Sequence, residues 1–418
     1  MKAIQPDTKM SKWVSYVTIL ALAAGWIIGF GADKAQAQTK PFEALSIGRV
    51  TALGGLSNDS PVRVVGQEVR DGRSRAFLFR ENQFGKQSLP FGPGDSATTS
   101  DSIANDISPT LGEVVGESNG FPTDWVLPCA GCNPIASSVG HYPEPQGCTL
   151  GAGTPVAVND SRVSVGSCRG TIGPGLVGDK PVRWVTAPGA VFTAAELPAN
   201  PMAGVNGVTE PTAALDVSNS GVIVGRQGFT SKAVVWTSPD QPPLVFGSLR
   251  EARGISNGSV FNNNPDMITM VGTIDTSGRP QERGVTFGII GNSPFFLGIT
   301  RLPFTYFGPN IPIGTQYFMQ PFVGVETRKI NRVGTTAGAM VKRNNGGTVA
   351  AIWNMIGQFA DLTANTTGLP DGTVLFDAVD INDQGYVLAK GLVNGQLQGF
   401  LLRPTGVTIP FTYGQFFY

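Results

Sequence analysis

The sequence predicts an all-β fold, a β-propeller of seven blades with four strands each. Three observations predict it. Charged residues make up only 14% of the 418-residue chain, against 41% hydrophobic residues and 55 glycines; low charge with abundant Gly, Val, Thr and Phe favours short strands joined by tight turns. One unit of roughly 50 residues recurs along the chain. Each copy carries an Asn-, Asp-, Ser- or Gly-rich turn between two apolar stretches. Six or eight blades, or a β-solenoid, are the alternatives.

The unit reads as follows. An apolar strand runs into the turn, and the next strand closes on Val-Gly or a close variant. Closing glycines fall at Gly66, Gly116, Gly166, Gly225, Gly272, Gly338 and Gly391, spaced by 50, 50, 59, 47, 66 and 53 residues. Turn-bearing examples are Ile103-Ala104-Asn105-Asp106, Ala157-Val158-Asn159-Asp160 and Ile381-Asn382-Asp383-Gln384-Gly385. These Asn, Asp and Gly residues are expected to supply the positive φ of a tight hairpin. A third strand follows, with a small residue first and an aromatic last: Ala76-Phe77-Leu78-Phe79, Pro181-Val182-Arg183-Trp184, Ala233-Val234-Val235-Trp236 and Ala350-Ala351-Ile352-Trp353. The second unit has no clean copy of it. A fourth strand is expected after each aromatic, as in Phe359-Ala360-Asp361-Leu362. Such a sheet cannot bury both faces alone, so neighbours must stack.

The ends point to ring closure. The last unit stops near Arg403 after its third strand, and a strand from Ala44 to Leu53 is free to complete it. Val407–Thr412 competes for that place, within a short aromatic C-terminal tail at 404–418. Residues 1–37 have the parts of a secretory signal peptide: Lys2, Lys9 and Lys12, then an apolar run from Trp13 to Ala32, then Ala35-Gln36-Ala37. Cleavage after Ala37 leaves 38–418 as a single propeller domain. The apolar run is long enough to span a bilayer, so an uncleaved anchor is the alternative. Either way the chain is expected outside the cytoplasm, extracellular or at the cell surface, with the periplasm as the alternative. No membrane span is expected after cleavage.

These residues resemble a known family. The pattern Ile-Asn-Asp-x-Gly-x-Val-Val-Gly followed by Ala-Phe-Leu-Phe or Ala-Val-Val-Trp is similar to the bacterial HAF-type extracellular repeats. The opening Arg49-Val50-Thr51-Ala52-Leu53-Gly54-Gly55-Leu56-Ser57 looks like that family's Leu-Gly-x-Leu-Gly-Gly start. The resemblance covers most of 42–403. It departs at the tripeptide itself, where Arg75-Ala76-Phe77 lacks the His, and the units at 251–290 and 322–355 are degenerate. It implies an exported propeller-like scaffold and no defined activity.

Candidate sites lie mainly in an insertion at 121–154. Cys129, Cys132, Cys148 and Cys168 are an even set in an exported chain, which reads as disulfides, with three pairings open. A four-thiolate metal site and a redox Cys129-x-x-Cys132 are the alternatives. Trp125, His141 and Tyr142 on the same loop form a possible ligand-contact loop, set against a loop packed on the ring. The runs from Asp216 to Gly221 and from Asp380 to Asp383 suggest calcium cages but lack a late bidentate Glu, and hairpin turns are the expected reading. Phe295–Phe322 is a second aromatic-rich segment, a contact patch or core.

No cofactor is expected, and an enzyme is hard to assemble. His141 is the only histidine, so a Ser-His-Asp arrangement rests on it alone. The Asp-box pattern of sialidase-like propellers is absent. The chain balances 30 basic against 30 acidic residues, which leaves no electrostatic footprint for nucleic acid. The first functional expectation is an exported scaffold that binds protein or glycan at the cell surface, or copies of itself. Carbohydrate hydrolysis or lysis by Asp/Glu at the propeller centre is the second, and a periplasmic or outer-membrane docking factor the third.

Overall fold

The computed structural model describes residues 40–83, 85–128, 138–187, 191–229, 231–246, 250–257, 267–276, 279–290, 300–301, 322–342, 347–354 and 358–411. No helix occurs among them. Six sheets have four strands each and one has five. Sheet 1 comprises Ala52–Leu56, Arg63–Arg70, Arg73–Arg80 and Lys86–Ser88. Sheet 2 comprises Ser102–Ile107, Glu113–Ser118, Phe121–Val126 and Ser138–His141. Sheet 3 comprises Cys148–Val158, Val163–Gly173, Leu176–Ala187 and Val191–Glu196. Sheet 4 comprises Thr212–Val217, Ile223–Gln227, Lys232–Trp236 and Leu244–Phe246. Sheet 5 comprises Glu251–Ile255, Met267–Thr276, Arg279–Ile290 and Thr300–Arg301. Sheet 6 comprises Phe322–Ile330, Thr336–Lys342, Thr348–Trp353 and Phe359–Asp361. Sheet 7 comprises Val374–Ile381, Val387–Val393 and Gln396–Pro404, then Phe42–Arg49 and Thr366–Thr367. Each sheet touches the next, and sheet 7 touches sheet 1. The arrangement is that of a β-propeller.

The period of two in each strand builds the ring. Val64 faces sheet 7, packing with Leu388 and Leu401. Val65, one residue on, faces sheet 2 and packs with Ala104 and Val114. The same alternation separates Val114 from Val115, which joins Val158 and Val182 of sheet 3. The aromatic slot faces back toward the preceding sheet. Trp125, Trp184 and Trp236 are fully buried, and each indole N–H donates to a proline carbonyl just past the preceding sheet: Pro90 (2.6 Å), Pro143 (3.2 Å) and Pro198 (2.8 Å).

The N-terminal strand splits where a single strand was expected. Phe42–Arg49 pairs antiparallel with Gln396–Pro404 and closes sheet 7, while Ala52–Leu56 begins sheet 1. The chain crosses between them at Val50 and Thr51, both hydrogen-bonded, to Leu397 and Gln67 respectively. No strand occurs at 407–411.

The second unit is also more regular than expected. Phe121–Val126 and Ser138–His141 are its third and fourth strands, and Cys148–Val158 is already the first strand of sheet 3. Residues 121–126, 138–141 and 148–154 of the segment read as an insertion at 121–154 are therefore ordinary sheet. Pro122-Thr123-Asp124-Trp125 is the third-strand motif, aligned with Pro181-Val182-Arg183-Trp184. In sheet 7 the ladder places Ala389, not Gly391, opposite Ala378.

Positive φ falls on the expected turn glycines but not on the expected Asn and Asp residues beside them. The hairpins between second and third strands carry it at Asp71-Gly72, Asn119-Gly120 and Asn394-Gly395, the paired left-handed residues of a tight two-residue turn. In the turns between first and second strands, Gly112, Arg162, Gly221, Gly334 and Gly385 carry it, and the Asn residues do not.

Candidate functional site

The inner ends of the first strands meet at the ring's centre. Every first strand from sheet 2 onward, and that of sheet 1, shows a register shift near its end. Such a bulge re-aims the following side chain. It also thrusts a carbonyl at the second strand: a Cβ on Gly116, Gly166, Gly225 or Gly338 would lie 2.0–2.1 Å from a first-strand oxygen. That is the physical reason for the Val-Gly ending.

Just past the bulges stand Gly55, Asp106, Ala157, Asp216, Gly254, Lys329 and Asp380, one per sheet. Each Asp accepts a main-chain N–H from the next sheet: Asp106 from Val158 (3.0 Å), Asp216 from Ile255 (2.9 Å) and Asp380 from Leu56 (2.8 Å). The receiving sheets carry the small residues Ala157, Gly254 and Gly55. A Cβ on Gly55 would sit 2.1 Å from Asp106 Oδ1.

Lys329 stands among these acids, its Nζ 2.7 Å from Asp216 Oδ1 and 3.8 Å from Asp106 Oδ2. Burial raises Asp106 to about 6, with Lys329 opposing. Burial likewise raises Asp380 to about 7, again opposed by Lys329. For Lys329 burial acts downward, but Asp106, Asp216 and Asp380 outweigh it and hold the ammonium above an ordinary lysine.

A second circle of bonds lies in the neighbouring turns. The side-chain amides of Asn159, Asn331 and Asn382 donate to the carbonyls of Ser218, Asn382 and Ser57 on the next sheet. The main-chain N–H groups of Asp160, Asn219, Arg332 and Asp383 donate to the side chains of Asn219, Asn257, Asp383 and Asn58. The turns suggested as calcium cages thus act as ties between sheets. The axial cavity they enclose is about 50 Å³, room for a few waters and far below the ~300 Å³ at which small-molecule pockets begin.

Cys148 and Cys168 form a disulfide, Cα–Cα 5.7 Å, between the first and second strands of sheet 3. Cys129 and Cys132 lie outside the described residues, as does most of Phe295–Phe322. The expected ligand-contact loop is drawn into the fold. Trp125 is a buried peg, and Tyr142 is 3% exposed. Tyr142 fills the slot that Leu89 and Leu197 fill in sheets 1 and 3, with the same main-chain bond to the third strand. His141 alone of the three is partly open. Its Nδ1 is 2.9 Å from Thr123 Oγ1 and its Nε2 is 3.6 Å from Asp95 Oδ2.

Away from the axis, sheets 3 and 4 border a groove of about 330 Å³ lined by Arg169, Asp179, Pro211, Arg226 and Phe229. Phe229 is 79% exposed, and Arg226 and Asp179 pair at 3.9 Å.

No protein-family model matches the sequence, and no curated protein does either. Among solved structures the chain is similar to a putative oxidoreductase (glucose dehydrogenase) from Thermus thermophilus. That likeness has 10% identity and a TM-score of 0.35, over 87% of this chain and 100% of the other. It is also similar to the tricorn protease at 8% identity and a TM-score of 0.26, over 84% of this chain and 29% of the other. Likenesses this weak carry no argument about activity. The fold and its centre define a propeller-like, all-β repeat protein whose axis is tied by charge.

Proposed function

We propose that the protein is an exported scaffold, a closed ring of seven blades that binds a protein or glycan at the cell surface. One observation carries this reading: the acids at the axis are occupied as ties between sheets, around a cavity too small for a substrate. The Cys148–Cys168 disulfide suits an oxidising compartment, and the resemblance to HAF-type repeats agrees with export. Binding then falls to the outer surface. The Phe229 groove offers an exposed ring with charged neighbours, a combination that stacks on a sugar or clasps a peptide. The test is fractionation of the native protein with co-purification, alongside Phe229→Ala. Recovery in a matrix or surface complex, lost in the variant, supports the proposal. A soluble, unaccompanied protein that cleaves glycans would defeat it and favour the hydrolase.

A further inference from the structure

Sheets 2 and 3 hold a second cluster of buried polar side chains, separate from the axis. Glu113 begins the second strand of sheet 2, and Asp124 pairs with Val115 from the third. Residues two apart share a face, so both carboxyls face sheet 3, as Val115 does. Glu113 is 1% exposed and Asp124 0%. Across from them Tyr142 Oη lies 3.0 Å from Ser164 Oγ and 3.1 Å from Thr186 Oγ1, and Thr186 Oγ1 donates to Asp124 Oδ2 at 3.3 Å. Arg162 Nε is 3.7 Å from Glu113 Oε2, on a side chain 37% exposed.

Glu113 Oε1, Glu113 Oε2 and Asp124 Oδ1 are buried with no donor in close hydrogen-bonding geometry, although Arg162 pairs with Glu113 and the Thr186 and Tyr142 hydroxyls lie near it. Buried carboxylates without donors are costly. A proton on each acid leaves lone pairs unmet, whereas one cation meets the orphan oxygens together and neutralises the pair. Burial pushes Glu113 up to about 7, steadied by Thr186, Arg162 and Tyr142. Asp124 is raised further, by burial and by the charge of Glu113.

We propose that this cluster binds a calcium ion through the carboxylates of Glu113 and Asp124 and the hydroxyls of Tyr142, Ser164 and Thr186. The donor set is all oxygen, which suits a hard cation. Mixed carboxylate and hydroxyl donors favour Ca²⁺ over Mg²⁺, which demands near-ideal octahedral coordination. Arg162 is open enough to swing out as the ion enters. Among the described residues no three His, Cys, Asp or Glu side chains gather as metal ligands. Two carboxylates alone set the charge, so the affinity belongs with weak extracellular sites, Kd on the order of 10⁻⁴–10⁻³ M.

The test is a thermal melt of the EDTA-treated full protein at pH 8 with 0–10 mM CaCl₂, against NaCl of equal ionic strength, with calorimetric titration of Ca²⁺. The expected result is one site per chain and a saturable rise in Tm of a few degrees. The rise should shrink at pH 5, where protons compete. Glu113→Gln and Asp124→Asn should abolish it, and Tyr142→Phe should weaken binding several-fold. A wild-type Tm indifferent to calcium overturns the proposal without recourse to any variant, and leaves the carboxyls holding protons. Undiminished binding in folded Asp124→Asn overturns it too.

Discussion

Lys329 and Asp216 stand 113 residues apart in sequence, on sheets 6 and 4, yet their charged atoms are 2.7 Å apart at the ring's axis. Neither touches the other through a neighbouring strand. The contact exists only because the sheets close around a common centre. Replacing Lys329 with Met strips the ammonium from three buried acids. The cost should be about 3–5 kcal/mol, as for breaking other buried pairs, read as a lower urea midpoint. Adding Asp216→Asn should recover part of the loss; strict additivity would contradict the coupling.

The pH dependence has a definite sign. Asp106, Asp380, Glu113 and Asp124 all titrate higher in the folded protein than in an unfolded chain. The folded state therefore holds protons that the unfolded state has released between about pH 4 and 7. Stability from these groups falls as pH rises through that window. In EDTA, the urea midpoint at pH 5 should exceed that at pH 8 by an amount worth a few kcal/mol. A midpoint that climbs from pH 5 to 8 would show that these acids are ionised and well paired.

Gly116→Ala places a methyl 2.0 Å from the carbonyl oxygen of Ile103. Because the obstacle is main chain, it cannot yield cheaply. The expected cost is about 1–3 kcal/mol, measured by chemical unfolding. Ala389→Gly, at the same ladder position of sheet 7, should cost no more than about 1 kcal/mol.

Cys168→Ser opens a loop of 20 residues in sheet 3. A loss near 3 kcal/mol is expected. Reductant should lower the wild-type Tm by more than it lowers the Tm of a Cys148→Ser, Cys168→Ser double variant.

Much of this architecture is legible in the sequence because the same local constraint recurs in each unit. The Val-Gly ending marks a carbonyl collision, and the terminal aromatic marks the peg into the preceding sheet. Other signals are present but take on meaning only beside the fold. Leu89-Pro90, Tyr142-Pro143 and Leu197-Pro198 mark the exits from the fourth strands of sheets 1 to 3, and they identify Tyr142 as core. Asp106-Ile107 before Ala157-Val158, and Asp216-Val217 before Gly254-Ile255, alternate an acid with a small residue because the acid needs space to reach the next sheet. Trp125 reads as a loop residue in sequence because its cysteine-rich surroundings resemble a loop. The meeting of Lys329 with Asp216 is not legible at all, since it depends on ring closure and not on spacing.

The pairing of Phe42–Arg49 with Gln396–Pro404 imposes an order on biogenesis. A chain emerging from its N-terminus exposes that strand early, long before its partner is made. Glu43 waits for Arg403, 360 residues later. Throughout synthesis the strand is an unpaired edge, the kind that invites aggregation or capture. Any chain ending before that last strand is complete stays open, however well its other sheets have formed. Closure of the ring therefore acts as a check that the chain has been made as far as Pro404.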